Sequence, residues 1–371
     1  MFLVFKSMRN RHFIVIILFV VFSCKVENPR PSGSFEYSAP YYQGMDAGTL
    51  SQLDEQIKSG AFGDIHSLLI LRNDVVVFEN YYANFRRDDL HALGAATQSI
   101  ISAVVGTQDY QDESFTITSK IVDYFPQYPE YFDNVPQKDQ VEIGHLLSHT
   151  SGLWWDEWSH PFGDESNDAY VMSLSNDWVA NVLATPMIKE PGNDFNFNSG
   201  NAVLLAPILE KITGKELEML TEERLFQPLG INEWNWEKTP RDYVNAGWGL
   251  QMKPIDMLKI GQLFLKNGVW EDHQLFDEAW RTRSTRRRNF VSSYYGYGYF
   301  WWSFGRTADV VRSLRVNDVF FSWGEGGQFI FVIPHLSLVV VTTAGNYNNS
   351  ETKAIEILRD YIFRLVGSRF P

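Results

Sequence analysis

The densest group of potentially reactive side chains lies between residues 145 and 157, where histidines, serines and acidic residues follow one another closely. Ser148 and His149 put a hydroxyl beside an imidazole, and Asp156-Glu157 adds two carboxylates, the groups used in acyl transfer and in acid–base catalysis. Adjacent side chains seldom face the same way, and no histidine spacing near Asp156-Glu157 suits a metal. We therefore expect no metal site and no cofactor, and we interpret His149 as a structural residue because no matched serine and acid accompany it.

A longer motif surrounds these residues. The segment His145–Leu153, HLLSHTSGL, resembles the HLLxHTSG signature of the β-lactamase-related serine hydrolases. That family includes class C β-lactamases, D-alanyl-D-alanine carboxypeptidases, penicillin-binding-type esterases and amide hydrolases. Further segments resemble family motifs in the expected order: PGNDFNFNSG at 191–200, QPLGI at 227–231, KPIDMLKIG at 253–261 and GEGGQ at 324–328. The resemblance extends from about Ile65 to Leu365.

The resemblance implies a β-lactamase/transpeptidase-like fold of the α/β (α+β) class. In that fold an antiparallel sheet from both chain ends is flanked by helices, an all-helical subdomain is inserted, and the active site lies between the two. The sequence pattern agrees, because it predicts a hairpin at each end of the domain, one around Asn73-Asp74 and one joining Gln328–Ile333 to Leu338–Ala344. We expect sheet strands from about 65–85 and 295–345 and the helical insertion at about 94–290.

Two further helices are predicted near the ends of the domain. One lies around Leu50–Lys58, and a final helix with an apolar face follows Ser350, which we interpret as its cap. Pro207–Thr213 followed by Gly214 is typical of a helix with a glycine stop.

Family chemistry depends on three reactive groups. A serine in an SxxK motif attacks the substrate carbonyl, a lysine three residues on shares its proton because the two lie on one helix face, and a tyrosine in a second motif completes proton transfer. Alignment of the segment 91–102, HALGAATQSIIS, with the family's SxTKSxxS run puts Ala95 at the serine and Gln98 at the lysine. Phe197 stands at the tyrosine.

These replacements predict a pseudoenzyme. Ala95 has no side-chain oxygen, Gln98 is neutral near pH 7, and Phe197 keeps the ring but lacks the hydroxyl, so the chain should be catalytically inactive although a pocket of family size survives. The only Ser-x-x-Lys in the sequence, Ser350 to Lys353, follows the last strand and is out of family order. An active esterase, amidase or peptidase using Ser99 as a displaced nucleophile remains the alternative, as do engineered inactivating changes.

Several residues are candidates for ligand binding, which we expect to involve a cell-wall peptide or a carbohydrate. Ser199 could offer a hydroxyl, or could bond backbone at a turn. Glu325, between Gly324 and Gly326-Gly327, should repel a ligand carboxylate unless it faces solvent. Trp155 belongs to a set of clustered aromatic residues that either line a cleft or pack between subdomains.

Composition excludes other classes of function. The 371 residues carry 32 Lys+Arg against 45 Asp+Glu, a net charge of −13, which argues against nucleic-acid binding. One dense basic stretch contains Arg281, Arg283, Arg286, Arg287 and Arg288; we interpret it as a solvated helix end or loop, with anion binding as the alternative. Nothing in the sequence fixes the oligomeric state.

The first residues of the sequence are typical of a targeting signal. Three basic residues precede the apolar run Phe13–Phe22, and Val21-Phe22-Ser23-Cys24 resembles a bacterial lipobox. We expect residues 1–24 to be a lipoprotein signal peptide, 25–45 a tether and 46–371 the β-lactamase-related domain. Cys24, the single cysteine, would then hold the protein to the membrane of the bacterial cell envelope by lipid. The alternative is an ordinary signal peptide in which Cys24 is incidental.

Overall fold

The structure is a computed structural model that describes residues 33–133, 135–305, 308, 318–347 and 352–367, all within one compact unit. The predicted signal peptide with Cys24, the first part of the tether and the proposed cap Ser350 lie outside these residues. Within the described ranges, no helix combines the length and the apolar character needed to cross a bilayer.

A nine-stranded sheet forms the framework, in the order β1-β3-β2-β14-β13-β12-β11-β10-β9. Neighbouring strands run antiparallel except β1 and β3, which are parallel. The strands are β1 Glu36–Tyr37, β2 Ile65–Arg72, β3 Val75–Tyr81, β9 Asn289–Phe290, β10 Tyr295–Tyr297, β11 Trp302–Phe304, β12 Phe320–Gly324, β13 Gln328–Ile333 and β14 Leu338–Ala344.

The sheet joins the two ends of the domain, as expected, because β14 pairs with β2 from Leu338–Arg72 onward. Its central strands are continuous apolar runs that are almost wholly buried, which is typical of strands covered on both faces. Both predicted hairpins are confirmed. At the first, Asn73 and Asp74 have φ of 50° and 67°, the left-handed backbone that a two-residue turn between twisted strands requires.

Helices cover the sheet and fill the insertion. They are α1 Ala47–Lys58, α2 Thr97–Gln111, α3 Ile143–Leu147, α4 Asp168–Ser173, α5 Trp178–Ala184, α6 Ser199–Thr213, α7 Leu217–Thr221, α8 Pro254–Leu265, α9 Glu278–Thr285, α10 Lys353–Ile357 and α11 Phe363–Gly367. The last two are joined by a π-helical turn, Leu358–Ile362. Helix α8 packs across β2, β13 and β14, and α1 packs on the C-terminal helix.

The insertion is mostly helical but also contains strands that the sequence pattern does not predict. These are β4 His91–Ala92, β5 Trp234–Trp236 and β6 Leu250–Met252, which form one small sheet, and the hairpin β7 Val269–Trp270 with β8 His273–Gln274. They are two or three residues long, too short for a period-two pattern to be recognised.

Helix α6 starts earlier than predicted. The Asn198 side chain accepts a hydrogen bond from the backbone N–H of Asn201 and caps the helix, so Pro207 lies inside it rather than at its start. The glycine stop is confirmed, because Gly214 ends α6 in the left-handed conformation. The earlier start puts Ser199 in the first turn of a 15-residue helix that runs through the centre of the insertion.

Candidate functional site

The turn that carries Ala95 lies against the end of β12. Residues Gly94–Ala96 form one 3-10 turn that leads into α2. Gly94 has φ of 53°, and a Cβ added to it would lie 3.2 Å from the backbone nitrogen of Glu325. Glycine at 94 therefore lets the β12–β13 turn approach closely, and half-buried Ala95 stands beside that turn, as the family resemblance implies.

Gln98 is buried one helical turn further and is held from three sides. Its Nε2 donates to the Gly247 carbonyl at 3.3 Å and approaches Ser199 Oγ at 3.5 Å, while its Oε1 lies 3.0 Å from His149 Nε2. Gln98, which we expect to replace the family lysine, is therefore part of a buried hydrogen-bond network and does not point freely into the pocket.

His149 fixes the polarity of that network. Its Nδ1 accepts from the backbone N–H of Asn198 at 3.3 Å, so in the neutral ring the proton is on Nε2, which donates to Gln98 Oε1. Burial lowers the pKa of His149 to about 3, and the ring stays neutral at ordinary pH. The buried, fully bonded ring agrees with the structural role expected for it.

Phe197 belongs to an aromatic stack. Its ring, 7% exposed, lies 4.5 Å from the His149 ring centroid and is stacked at 4.9 Å beneath Trp158, with Trp302 near-parallel at 6.1 Å. The Phe197 ring is thus closely packed. The side chains beside it are indole rings, which do not relay protons.

Glu157, which the sequence analysis sets aside with Asp156, lies at the candidate site. Its carboxylate accepts from the N–H and the Oγ–H of Ser199, at 2.9 and 2.8 Å, and from the indole N–H of Trp155. The prediction that adjacent residues diverge is correct, since Asp156 instead accepts from the backbone of Trp158 and Ser159. Because the two side chains point in different directions, that of Glu157 faces the site. No spacing in the sequence indicates this orientation.

The pKa of Glu157 is raised to about 7. Burial is the main cause and opposes the lowering effect of the three hydrogen bonds that it accepts. The pair Ser199–Glu157 therefore adds a group that can change charge near neutral pH beside Gln98.

Ser99 does not have the surroundings of a nucleophile. It is 2% exposed, and its Oγ donates at 2.6 Å to the Phe300 carbonyl. Ser148 is likewise buried, and its Oγ bonds the Gly144 carbonyl and Thr150. Both hydroxyls hold backbone segments together, and among the described residues no histidine ring or carboxylate is hydrogen-bonded to either of them.

An open cavity of about 460 Å³ adjoins the aromatic stack. Trp154 and Trp158 stand at it with 48% and 60% of their surface exposed, and Lys189 and Asp194 add charges 3.7 Å apart. Trp155 also lines it, but only 3% of that side chain is exposed and its indole N–H serves Glu157. The contact surface for a ligand is therefore provided by its two neighbours rather than by Trp155.

The remaining candidates lie in the β12–β13 turn. Glu325 is exposed, whereas Gly326 and Gly327 are buried with φ of 83° and 107°, a left-handed backbone that favours glycine. The carboxylate thus faces solvent next to the turn that carries Ala95. In the part of the chain that the structure describes, no three His, Cys, Asp or Glu side chains are grouped as metal ligands would be.

Comparison with known proteins agrees with this architecture. The sequence model of the beta-lactamase family matches residues 52–361. A Salmonella enteritidis protein named as a D-alanyl-D-alanine carboxypeptidase is 21% identical over 58% of this chain, and the chain spans about half the length of that relative (53%).

Solved structures of similar fold include a class C beta-lactamase from Rhodobacter sphaeroides, with TM-score 0.62, 14% identity and coverage of 85% of this chain and 100% of that one. A penicillin-binding protein homologue from Caulobacter crescentus has TM-score 0.65, 14% identity and coverage of 87% and 97%. The chain therefore has the expected fold.

The raised pKa of Glu157 predicts a specific pH dependence of stability. Between pH 4.5 and 7 the folded state binds a proton at Glu157 that the unfolded chain releases, so the contribution of Glu157 to the free energy of unfolding should fall as pH rises. At 1.36 kcal/mol per pKa unit this loss is about 3 kcal/mol. The contribution of His149, whose pKa is lowered to about 3, rises over the same range and opposes it. In Glu157→Gln only the opposing contribution of His149 remains of the two, so the free energy of unfolding should rise from pH 5 to pH 8 by up to about 3 kcal/mol more than in the unmodified protein, as measured by urea unfolding at the two pH values.

Glu165→Gln is the matched control, because Glu165 is exposed on the same loop. It should unfold with the pH profile of the unmodified protein. Equal pH profiles in Glu157→Gln and the unmodified protein would mean that Glu157 titrates in the folded protein as it does in the unfolded chain.

Proposed function

The chain belongs to the beta-lactamase family, and we propose that it is a catalytically inactive member, a pseudoenzyme that binds a cell-wall ligand without hydrolysing it. The observation that carries the proposal is the identity of Ala95, Gln98 and Phe197 at the three reactive positions. Ala95 can form no acyl-enzyme. Loss of a nucleophile costs several orders of magnitude in rate, and the added loss of its base changes little more, because the group acts as a unit.

The surroundings of Gln98 suit a glutamine better than a lysine. His149 directs an N–H at position 98, so the network needs an acceptor there, which the amide oxygen provides. A lysine ammonium has only hydrogen-bond donors, so its N–H groups would face the N–H of His149 and no hydrogen bond could form between them. The Gln98 amide offers both an acceptor, to His149, and donors, to Gly247 and Ser199.

The cavity beside the aromatic stack supports this choice of ligand. Exposed indole rings of Trp154 and Trp158 present flat apolar faces with polar edges, which suit stacking on a sugar ring. The Lys189 ammonium at the same cavity suits a peptide carboxylate. A peptidoglycan fragment combines both groups, and the relative named as a D-alanyl-D-alanine carboxypeptidase has a name that concerns the same class of molecule.

Binding of a disaccharide-tetrapeptide from peptidoglycan, measured by isothermal titration calorimetry, tests the ligand. We expect one site per chain, an unchanged ligand recovered afterwards, and a Kd about tenfold higher in Trp154→Ala, since the loss of one stacked ring amounts to about 1.4 kcal/mol. Tyr110→Ala is the control, because Tyr110 is an exposed aromatic residue that does not line the cavity. No heat of binding, equal affinity in Trp154→Ala, or cleavage of the ligand would refute the proposal.

We also propose that the protein is held at the bacterial cell envelope by lipid on Cys24. The support is the charged, apolar and small-residue order of residues 1–24 and the position of the single cysteine. A diacylated Cys24 would give membrane binding that one chain alone does not.

Metabolic labelling with a palmitate analogue tests the anchor in cells that express the full chain. The protein should carry label and partition with membranes, and Cys24→Ala should lose the label. Ser23→Ala, which keeps the cysteine, is the control and should retain it. Label that persists in Cys24→Ala, or no label at all, would exclude lipidation at this residue.

A further inference from the structure

A second cavity, remote in sequence from the reactive positions, is lined by arginine side chains. It has a volume of about 340 Å³ and lies between α9, β11 and the start of β12. Arg281 from α9 and Arg286 and Arg287 from the segment after it contribute to its wall, with the hydroxyl-bearing Thr285 and Ser303. Three of the five arginines of the basic stretch therefore line one concave surface, whereas Arg283 pairs with Asp109 and Arg288 lies over the Tyr299 ring.

The cations of this cavity form no close ion pair with the residues that the structure describes, although Asp318 and Glu278 act on Arg281 at longer range. No carboxylate lies within 4.0 Å of the Arg281, Arg286 or Arg287 guanidinium groups there, although neighbouring Arg283 pairs with Asp109. In addition, Arg281 Nε and Ser303 Oγ are buried without a hydrogen-bond partner. Unpaired buried donors are costly unless a ligand satisfies them, and the protein as a whole is acidic at −13.

Aromatic contacts hold two of these arginines in place. The Arg281 guanidinium lies 5.3 Å from the Phe320 ring centroid, and that of Arg287 lies 4.5 Å from the Phe290 centroid. The stem of Arg287 crosses strand β10 at Gly296, where an added Cβ would lie 2.2 Å from Arg287 Cδ. The guanidinium groups are therefore positioned before any ligand arrives, which reduces the entropy lost on binding.

One acidic residue, Asp318, also lines the cavity. It accepts from the backbone N–H of His335 at 2.9 Å and pairs with His335 Nδ1 at 2.7 Å. These contacts draw its carboxylate toward the β13–β14 connection. Three arginines against one carboxylate that is already bonded leave the cavity with an excess of positive charge.

A purely structural role could explain part of the arginine cluster. Cations near a helix C-terminus stabilise the helix dipole, and Arg286 and Arg287 follow the end of α9. That explanation does not account for Arg281, which lies in the middle of the helix, or for its partnerless Nε.

We propose that this cavity binds a phosphate group. Guanidinium forks match the oxygens of a tetrahedral oxyanion, and Ser303 offers a further hydroxyl donor. Free inorganic phosphate and the phosphate ester of an anionic lipid headgroup present the same oxygens to this cavity. The proposal does not depend on whether the family site is catalytic.

Calorimetry of the full chain with inorganic phosphate, at low salt, is the first arm of the test. We expect one site, with affinity at least about tenfold weaker in Arg286→Ala/Arg287→Ala and intermediate in Arg286→Lys/Arg287→Lys, because lysine keeps the charge but loses the fork. Arg86→Ala/Arg241→Ala removes two exposed positive charges elsewhere and should bind like the unmodified protein.

Gly296→Ala separates geometry from net charge. It keeps every arginine but forces Arg287 off the strand, so phosphate affinity should fall several-fold. Equal melting temperatures in phosphate-free buffer establish that the variants are folded.

The second arm measures co-sedimentation with vesicles of phosphatidylglycerol and phosphatidylcholine, against phosphatidylcholine alone. Phosphate binding together with vesicle binding that the alanine pair abolishes identifies a lipid headgroup, and phosphate binding alone identifies a small phosphate; either outcome supports the site. Absence of binding in both arms, or equal binding by the alanine pair and its control, overturns it.

Discussion

The buried hydrogen bond from His149 Nε2 to Gln98 Oε1 is the interaction on which the candidate site depends. It links the end of α3 to α2, and the other ring nitrogen accepts from Asn198 at the start of α6. The same imidazole touches the Phe197, Tyr297 and Phe300 rings. Because burial keeps the ring neutral, its single N–H decides which kind of group can stand at position 98.

Around this hydrogen bond the site has a polar side and an aromatic side. On the polar side, Gln98, Ser199 and Glu157 exchange hydrogen bonds in a region that no longer contains a nucleophile at Ala95. On the aromatic side, Trp158 covers Phe197 and leads outward to the exposed Trp154. A site of this kind offers surfaces for recognition and retains one group, Glu157, whose charge responds to pH near neutrality.

Much of the framework could be predicted from the sequence because it depends on local patterns. The two hairpins follow from apolar runs across short turns, and the positions of Ala95, Gln98 and Phe197 follow from motif order. Glu157 could not be found in this way, since its role depends on a loop that brings it to Ser199, 42 residues later. The arginine cavity could be predicted only in part. The run of positive charges is visible in the sequence, but its position against β11 depends on the tertiary structure.

The central claim is that no acyl-enzyme can form at this site. Its most direct test is the intact mass of the unmodified protein after prolonged incubation with a penicillin and, separately, with a fluorophosphonate. We predict an unchanged mass in both, because Ala95 provides no oxygen, Ser99 and Ser148 are committed to backbone carbonyls, and Ser199 is only 3% exposed. A stoichiometric adduct mapped to any serine of the site would contradict the account.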